Sequence, residues 1–184
     1  MEGLYIPMLK LADRGVMNKT LLKLVSQNTR QPVETEGDVY SLAACNDIGC
    51  TRLVEMMKEF EIDDLKILSD FIYEKSLSAV ENEIKKIPNG EYKNSMMIDG
   101  FEKDIKLEAK LTVYDNSITV DYTGTSDKSK FGINVPLSYT KAYTCFGLSC
   151  LVSAEVPNNA GSLKPFEIDA PLGSILNAPY PAAV

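Results

Sequence analysis

The hydrophobic period changes partway along this chain, and that change limits the fold more than any other feature. Over 64–86, Leu65, Leu68, Ile72, Ala79 and Val80 fall on one face at about 100° per residue. Lys66, Asp70, Glu74, Glu81 and Lys85 fall on the other, which predicts a long amphipathic helix ended by Pro88-Asn89-Gly90. Beyond it the period drops to two. Ile105, Leu107, Ala109, Leu111 and Val113 alternate with Lys106, Glu108, Lys110 and Thr112, and Ile118, Val120 and Tyr122 alternate with Thr119 and Asp121. With a turn at Asp115-Asn116, this predicts an antiparallel hairpin over 105–122 that buries Leu107, Leu111, Ile118 and Val120 and leaves one face in water. Helices followed by a meander give an α+β fold rather than a doubly wound parallel sheet.

The flanking segments extend that plan. Leu4 and Ile6, stopped by Pro7, suggest a short strand or extended arm, and Ala12-Asp13-Arg14-Gly15 suggests a turn. Asn18 suits an N-cap for a helix with Leu21, Leu22 and Val25 on its apolar face. Pro32 suits the first turn of a second helix, running to about Phe60. Gly37 and Gly49 inside it imply a kink or a closely packed backbone, because each costs about 1 kcal/mol relative to Ala. A strand at 91–98, a helix at 137–152 and strands at 166–170 and 174–176 complete the expectation. The whole of 1–184 is expected to be one α+β piece, mainly helical over 1–88 and mainly strand with one helix over 89–184.

Composition excludes several chemistries. The chain has no His, so it holds no Ser-His-Asp triad, Cys-His pair or histidine metal ligand. Its net charge of −7, without a basic stripe, argues against nucleic acid. No apolar run nears the ~18 residues of a membrane span, and Met1-Glu2 opens no signal peptide, so the expected location is the cytoplasm. Cys45/Cys50 and Cys145/Cys150 have spacings poor for a shared metal or a disulfide, and are expected as small buried thiols on helices in a reducing compartment. Glu34, Glu36 and Asp38 suit a helix start. Arg30 and Arg52 suit helix-end and surface roles better than a carboxylate-binding role.

Two segments offer ligand chemistry. In DYTGTSDKS, Thr123, Thr125 and Ser126 surround Gly124 after a strand, but there is no P-loop pattern. In FGINVP, Gly132 permits close approach and Asn134 both donates and accepts. Each is either a ligand-facing loop or ordinary turn chemistry.

Several stretches, taken in order, resemble the hydantoinase B/5-oxoprolinase family, to which the large subunits of acetone and acetophenone carboxylases are related. They are EGLYIP–KL, NTRQP, GD with Ala43-Ala44, IPNGEY, VDYTGTS, Gly132–Asn134 and VPNNAGSLKPFEIDAPLGSILNAPYPAAV. Met8 stands where the family usually has a second Pro, Leu42 where it usually has Gln, and Asn158 where an apolar residue is common. The resemblance implies a central fragment of a longer B-type component. It implies opening of cyclic amides, with ATP bound by a partner A-type component and a divalent metal held by a missing N-terminal part. No cofactor is then expected on this fragment, which alone would be inactive. It makes Thr123, Gly124, Thr125, Ser126 and Asn134 the substrate-proximal candidates. The alternatives are a fragment of a ketone carboxylase subunit and a noncatalytic α+β assembly module.

Overall fold

A computed structural model describes Leu4 and residues 6–184. The chain divides into two compact units, one ending at Leu65 and one spanning Lys66–Val184. Leu4 and Ile6 of the expected strand or arm are described and belong to no strand, while Glu2, Gly3 and Tyr5 lie outside the described residues.

In the first unit, strands β1 (Ala12–Asp13) and β2 (Val16–Met17) form a small antiparallel hairpin. Arg14 and Gly15 both take positive φ, 49° and 80°, the geometry a tight two-residue turn demands. Helix α1 (Lys19–Gln27) starts at Asn18, whose Oδ1 accepts from the Leu21 N–H at 3.1 Å. It buries Leu22 and Val25. Helix α2 (Pro32–Glu59) begins on its proline and passes through Gly37 and Gly49 as one helix. Nothing approaches within 4 Å of where either glycine's Cβ would sit, so no packed backbone explains them. None of its residues is buried.

The second unit carries the main core. Helix α3 (Lys66–Ile84) buries Ser76, Val80 and Ile84. Its inward face is rotated from the expected one, and Ile72 is 45% exposed. Strands β3 (Gly90–Ile98), β4 (Ile105–Tyr114) and β5 (Ser117–Asp121) form the antiparallel meander. Asp115 adopts φ 51° in the β4–β5 turn. Helix α4 (Leu137–Val152) then crosses to β6 (Phe166–Asp169), which adds parallel to β5. The sheet order is β3-β4-β5-β6, an α+β arrangement with one parallel edge. The short helix α5 (Ala160–Leu163) had no periodic signal, but Asn159 and Ser162 form a capping box around it. Residues 174–176 are not a strand; only Ser174 bridges, to Asp127.

Val80 and Ile84 meet Val113, Ile118, Val120, Leu148, Phe166 and Ile168 in the core. Ile118 and Val120 are buried as the alternation requires, whereas Leu107 and Leu111 are half-buried. Of the four cysteines, Cys45, Cys50 and Cys150 are exposed and Cys145 is half-buried, which corrects the expectation of buried thiols. Cys45 and Cys50 sit on α2 and Cys150 on α4 at exposed positions, whereas Cys145 on α4 packs against the core. Burial pushes the Cys145 thiol up from its ordinary pKa. No helix among the described residues is long and apolar enough to cross a membrane.

Candidate functional site

Within the second unit, β3, β4 and α4 line an open cavity of about 430 Å³, a size suited to a small ligand. Its floor is the inward face of β3 and β4, including Asn94, Met96, Leu107 and Ala109. This also explains why Leu107 is only half-buried: it faces the cavity rather than the core. The wall is α4, through Tyr139, Thr140, Tyr143 and Thr144. The rings of Tyr139 and Tyr143 stack with centroids 4.4 Å apart. The Tyr139 hydroxyl keeps its proton in a hydrogen bond with Tyr143, which raises its pKa.

The polar groups of this cavity are mostly engaged. Thr140 Oγ1 donates to the Leu176 carbonyl at 2.6 Å. Thr144 Oγ1 donates to the Thr140 carbonyl at 2.7 Å, so the Tyr122 hydroxyl, 2.7 Å away, must donate to Thr144. Glu108, the one acidic residue of the lining, is paired with Lys106, and no Lys or Arg lines the space. The result is a mainly apolar chamber without a free charge, with three tyrosines, Tyr122, Tyr139 and Tyr143, in its lining.

Both candidate segments adjoin it, since Tyr122 and Val135 belong to its lining. After Tyr122 the loop turns on Asp121, whose Oδ1 accepts from the Thr123 N–H at 2.8 Å and from its hydroxyl at 2.6 Å. The Thr123 hydroxyl and then its N–H hold the Asp121 carboxyl below the usual range; partial burial works against them, and Lys110 adds to them. Gly124 sits at φ +100°, which favours glycine; a Cβ there would also meet a Glu108 carboxylate oxygen at 2.6 Å, a flexible side-chain end that would have to swing aside. Thr123 and Gly124 are exposed.

The other candidates face the protein. Thr125 Oγ1 accepts from the Glu108 N–H at 3.0 Å and donates to the Glu108 carbonyl at 3.1 Å. Ser126 Oγ accepts from the Lys106 N–H at 2.9 Å. These two hydroxyls stitch the loop to β4 where β5 has ended. Asn134, 3% exposed, accepts at Oδ1 from the Ser129 N–H at 2.7 Å. Its Nδ2 donates to the carbonyls of Ser129, Phe131 and Ala183, at 3.0, 3.0 and 2.7 Å. The structure therefore brings Thr123–Ser126 together on one turn and places Asn134 in a separate knot of backbone bonds. Sequence reading missed the chamber wall. Tyr139, Tyr143 and Thr144 at i, i+4 and i+5 on α4 were its only signal.

Among the described residues, no three His, Cys, Asp or Glu side chains are grouped to hold a metal ion, so a divalent metal does not fit here.

The chain resembles known proteins over nearly its whole length. It is 30% identical to the B-type component of a putative D-/L-hydantoinase from Pseudomonas sp. (strain NS671), across 98% of this chain and 33% of that one. Its fold matches the ATP-dependent caprolactamase from Pseudomonas jessenii, with a TM-score of 0.82 at 21% identity, covering 99% of this chain and 32% of that one. It also matches an acetone carboxylase, with a TM-score of 0.77 at 15% identity, covering 96% of this chain and 25% of that one. The chain thus spans about a third or less of each. The sequence pattern of the hydantoinase B/oxoprolinase family matches residues 1–184, and the chain belongs to that family.

Proposed function

We propose that this chain forms part of a B-type component that opens cyclic amides in an ATP-dependent reaction. The observation that carries the reading is the family match from residue 1 to residue 184. In this reading a partner A-type component binds ATP, whose γ-phosphoryl group goes to the amide oxygen. Water then adds at the amide carbon, the ring C–N bond breaks as the nitrogen takes a proton and leaves as an amine, and a second water cleaves the acyl phosphate to carboxylate and phosphate. The described residues hold no metal set, so no step is assigned to a metal on this chain.

This chain's share is to present surface to the ring. The Thr123–Gly124 tip offers a hydroxyl and an open backbone. Thr125, Ser126 and Asn134 position that tip and the adjoining turn through their backbone bonds. The neutral chamber beside it suits an uncharged ring. The fold likeness to an acetone carboxylase supports a second reading, in which the phosphorylated oxygen is an enolate and the product a carboxylated ketone.

The test is to assay ADP release with hydantoin, 5-oxoproline, caprolactam, or acetone plus bicarbonate. The 184-residue chain alone should release none. The chain within its longer component, together with an A-type component, should release ADP with one of the cyclic amides. ADP release only with acetone and bicarbonate would select the second reading, and turnover by the chain alone would remove the need for a partner.

A further inference from the structure

Asn94 is the one carboxamide in the lining of the chamber. It stands on β3 directly across from Ala109 of β4, on the side of the sheet that forms the floor. Its Oδ1 accepts from the Ser95 N–H at 2.9 Å, which leaves that oxygen a second lone pair. Among the described residues no acceptor meets its Nδ2. The side chain therefore holds a donor and an acceptor next to one another, both open to a ligand. The other polar groups of the lining are engaged. Tyr122, Thr140 and Thr144 are bonded within the fold, the Tyr139 hydroxyl to Tyr143, and Glu108 to Lys106. A ligand with a matching acceptor and donor on one edge would complete Asn94. An open-chain secondary amide has them on opposite edges, because it is trans. A small cyclic amide is held cis by its ring, so its C=O and N–H lie side by side. A protein segment laid over the chamber would bring trans peptides, each of which offers only one of the two atoms to Asn94 at a time.

We propose that Asn94 reads the cis-amide edge of an uncharged lactam or hydantoin ring held in this chamber. Nδ2 donates to the ring carbonyl oxygen, and the ring N–H donates to Oδ1. This rests on the reading of the chain as part of a component that opens cyclic amides, and it assigns the ring-binding residue. The apolar edge of the ring lies against Met96, Leu107 and Ala109, with the stacked rings of Tyr139 and Tyr143 on the α4 wall. The carbonyl oxygen keeps its second lone pair for the phosphoryl group. The same lining sets what the ring can carry. No Lys or Arg belongs to it, so a carboxylate on the ring would lose water without gaining a cation. Asn94 is thus a specificity-determining residue for the cis amide, and the apolar lining selects against a charged substituent.

NMR titration of the 184-residue chain tests this without ATP or a partner. Caprolactam and 2-pyrrolidinone should shift the Asn94 side-chain amide signals and bind in the millimolar range. N-methylcaprolactam lacks the N–H, and 5-oxoproline is 2-pyrrolidinone with a carboxylate. Each should bind about tenfold more weakly than its parent ring, the worth of one hydrogen bond or more. Asn94→Asp keeps the acceptor for the Ser95 N–H and removes the donor. It should weaken caprolactam about tenfold, with an unchanged circular dichroism spectrum. Failure of both parent rings to bind, equal binding of caprolactam and its N-methyl derivative, or undiminished binding by folded Asn94→Asp overturns the proposal. So does 5-oxoproline binding as tightly as 2-pyrrolidinone. The comparison of probes needs no variant, so poor folding of Asn94→Asp leaves the test standing. Lactams that bind by these rules but elicit no ADP release from the longer component with its A-type partner would uphold the site and overturn the proposed function. ADP release with lactams that leave Asn94 unmoved would do the reverse.

Discussion

Asn134 spends all of its hydrogen-bonding capacity on backbone, and its removal has a calculable cost. Asn134→Ala leaves the Ser129 N–H without its acceptor and three carbonyls without their donor. Stability should fall by about 1–3 kcal/mol, the usual penalty for orphaned buried groups. Chemical denaturation checks this, and an unchanged midpoint would show that water replaces the amide freely. Thr123 acts on charge instead. Thr123→Val removes the hydroxyl that does most to depress the Asp121 pKa, so the carboxyl should titrate higher in an NMR titration. A carboxyl depressed in the fold adds stability above its unfolded pKa and loses it as pH falls through the folded value. The gap between wild type and Thr123→Val should therefore be present at neutral pH and close in acid, below the ordinary carboxylate range. A gap independent of pH would exclude the carboxylate as its source. The sequence showed that these side chains were polar and sat in turns. It did not show their partners, because Asn134 reaches Ala183, 49 residues away, and that distance is set by the fold.

Elements with a strong period were legible from the sequence, and those defined by packing were not. The β4–β5 hairpin and α4 matched expectation because alternation and helical spacing are local properties. The inward face of α3 matched only in part, because Val80 is buried but Ser76 rather than Ile72 points inward. Ser76 Oγ accepts from Asn159 Nδ2 at 2.8 Å, which ties α3 to the cap of α5. The parallel seat of β6 beside β5 is also a long-range choice. Glycine separates local from packed causes. At Gly161, a Cβ would lie 2.2 Å from the Tyr73 carbonyl oxygen, so α5 rests directly on α3 backbone. Gly161→Ala should destabilise by about 1–3 kcal/mol through overpacking. At Gly37 nothing is near, so Gly37→Ala should stabilise α2 by up to about 1 kcal/mol through helix propensity alone. Gly161→Ala should lower the thermal midpoint, whereas Gly37→Ala should slow exchange of the α2 amides without moving that midpoint. A midpoint raised by Gly37→Ala would mean that α2 belongs to the cooperative core, and one unmoved by Gly161→Ala would mean that the contact with Tyr73 yields freely.

At the scale of the whole molecule, stability is distributed unevenly between the two units. The core cluster from Val80 to Ile168 lies entirely within Lys66–Val184. In the other unit, Leu22 and Val25 are the only buried hydrophobic residues among those described. Ordering a residue costs about 1–2 kcal/mol of backbone entropy, and burying a Leu or Val returns about 1.5–3 kcal/mol. Two such residues cannot hold a unit of this length, and most helical stability in proteins comes from packing an apolar face rather than from propensity. α2, with 28 residues and none buried, is the extreme case. The chain from Lys66 to Val184 should therefore keep the cooperative unfolding transition of the full 184 residues. Residues 1–65 alone should show low helicity and no transition. In the intact chain, α2 amides should exchange with solvent much faster than those of α3 and α4, since exchange protection follows buried packing. Circular dichroism of the two pieces and exchange in the whole chain test the same inference independently. If α2 amides are protected as strongly as those of α3, the helix has packing contacts beyond those of its own unit, and the energetic division between the units fails.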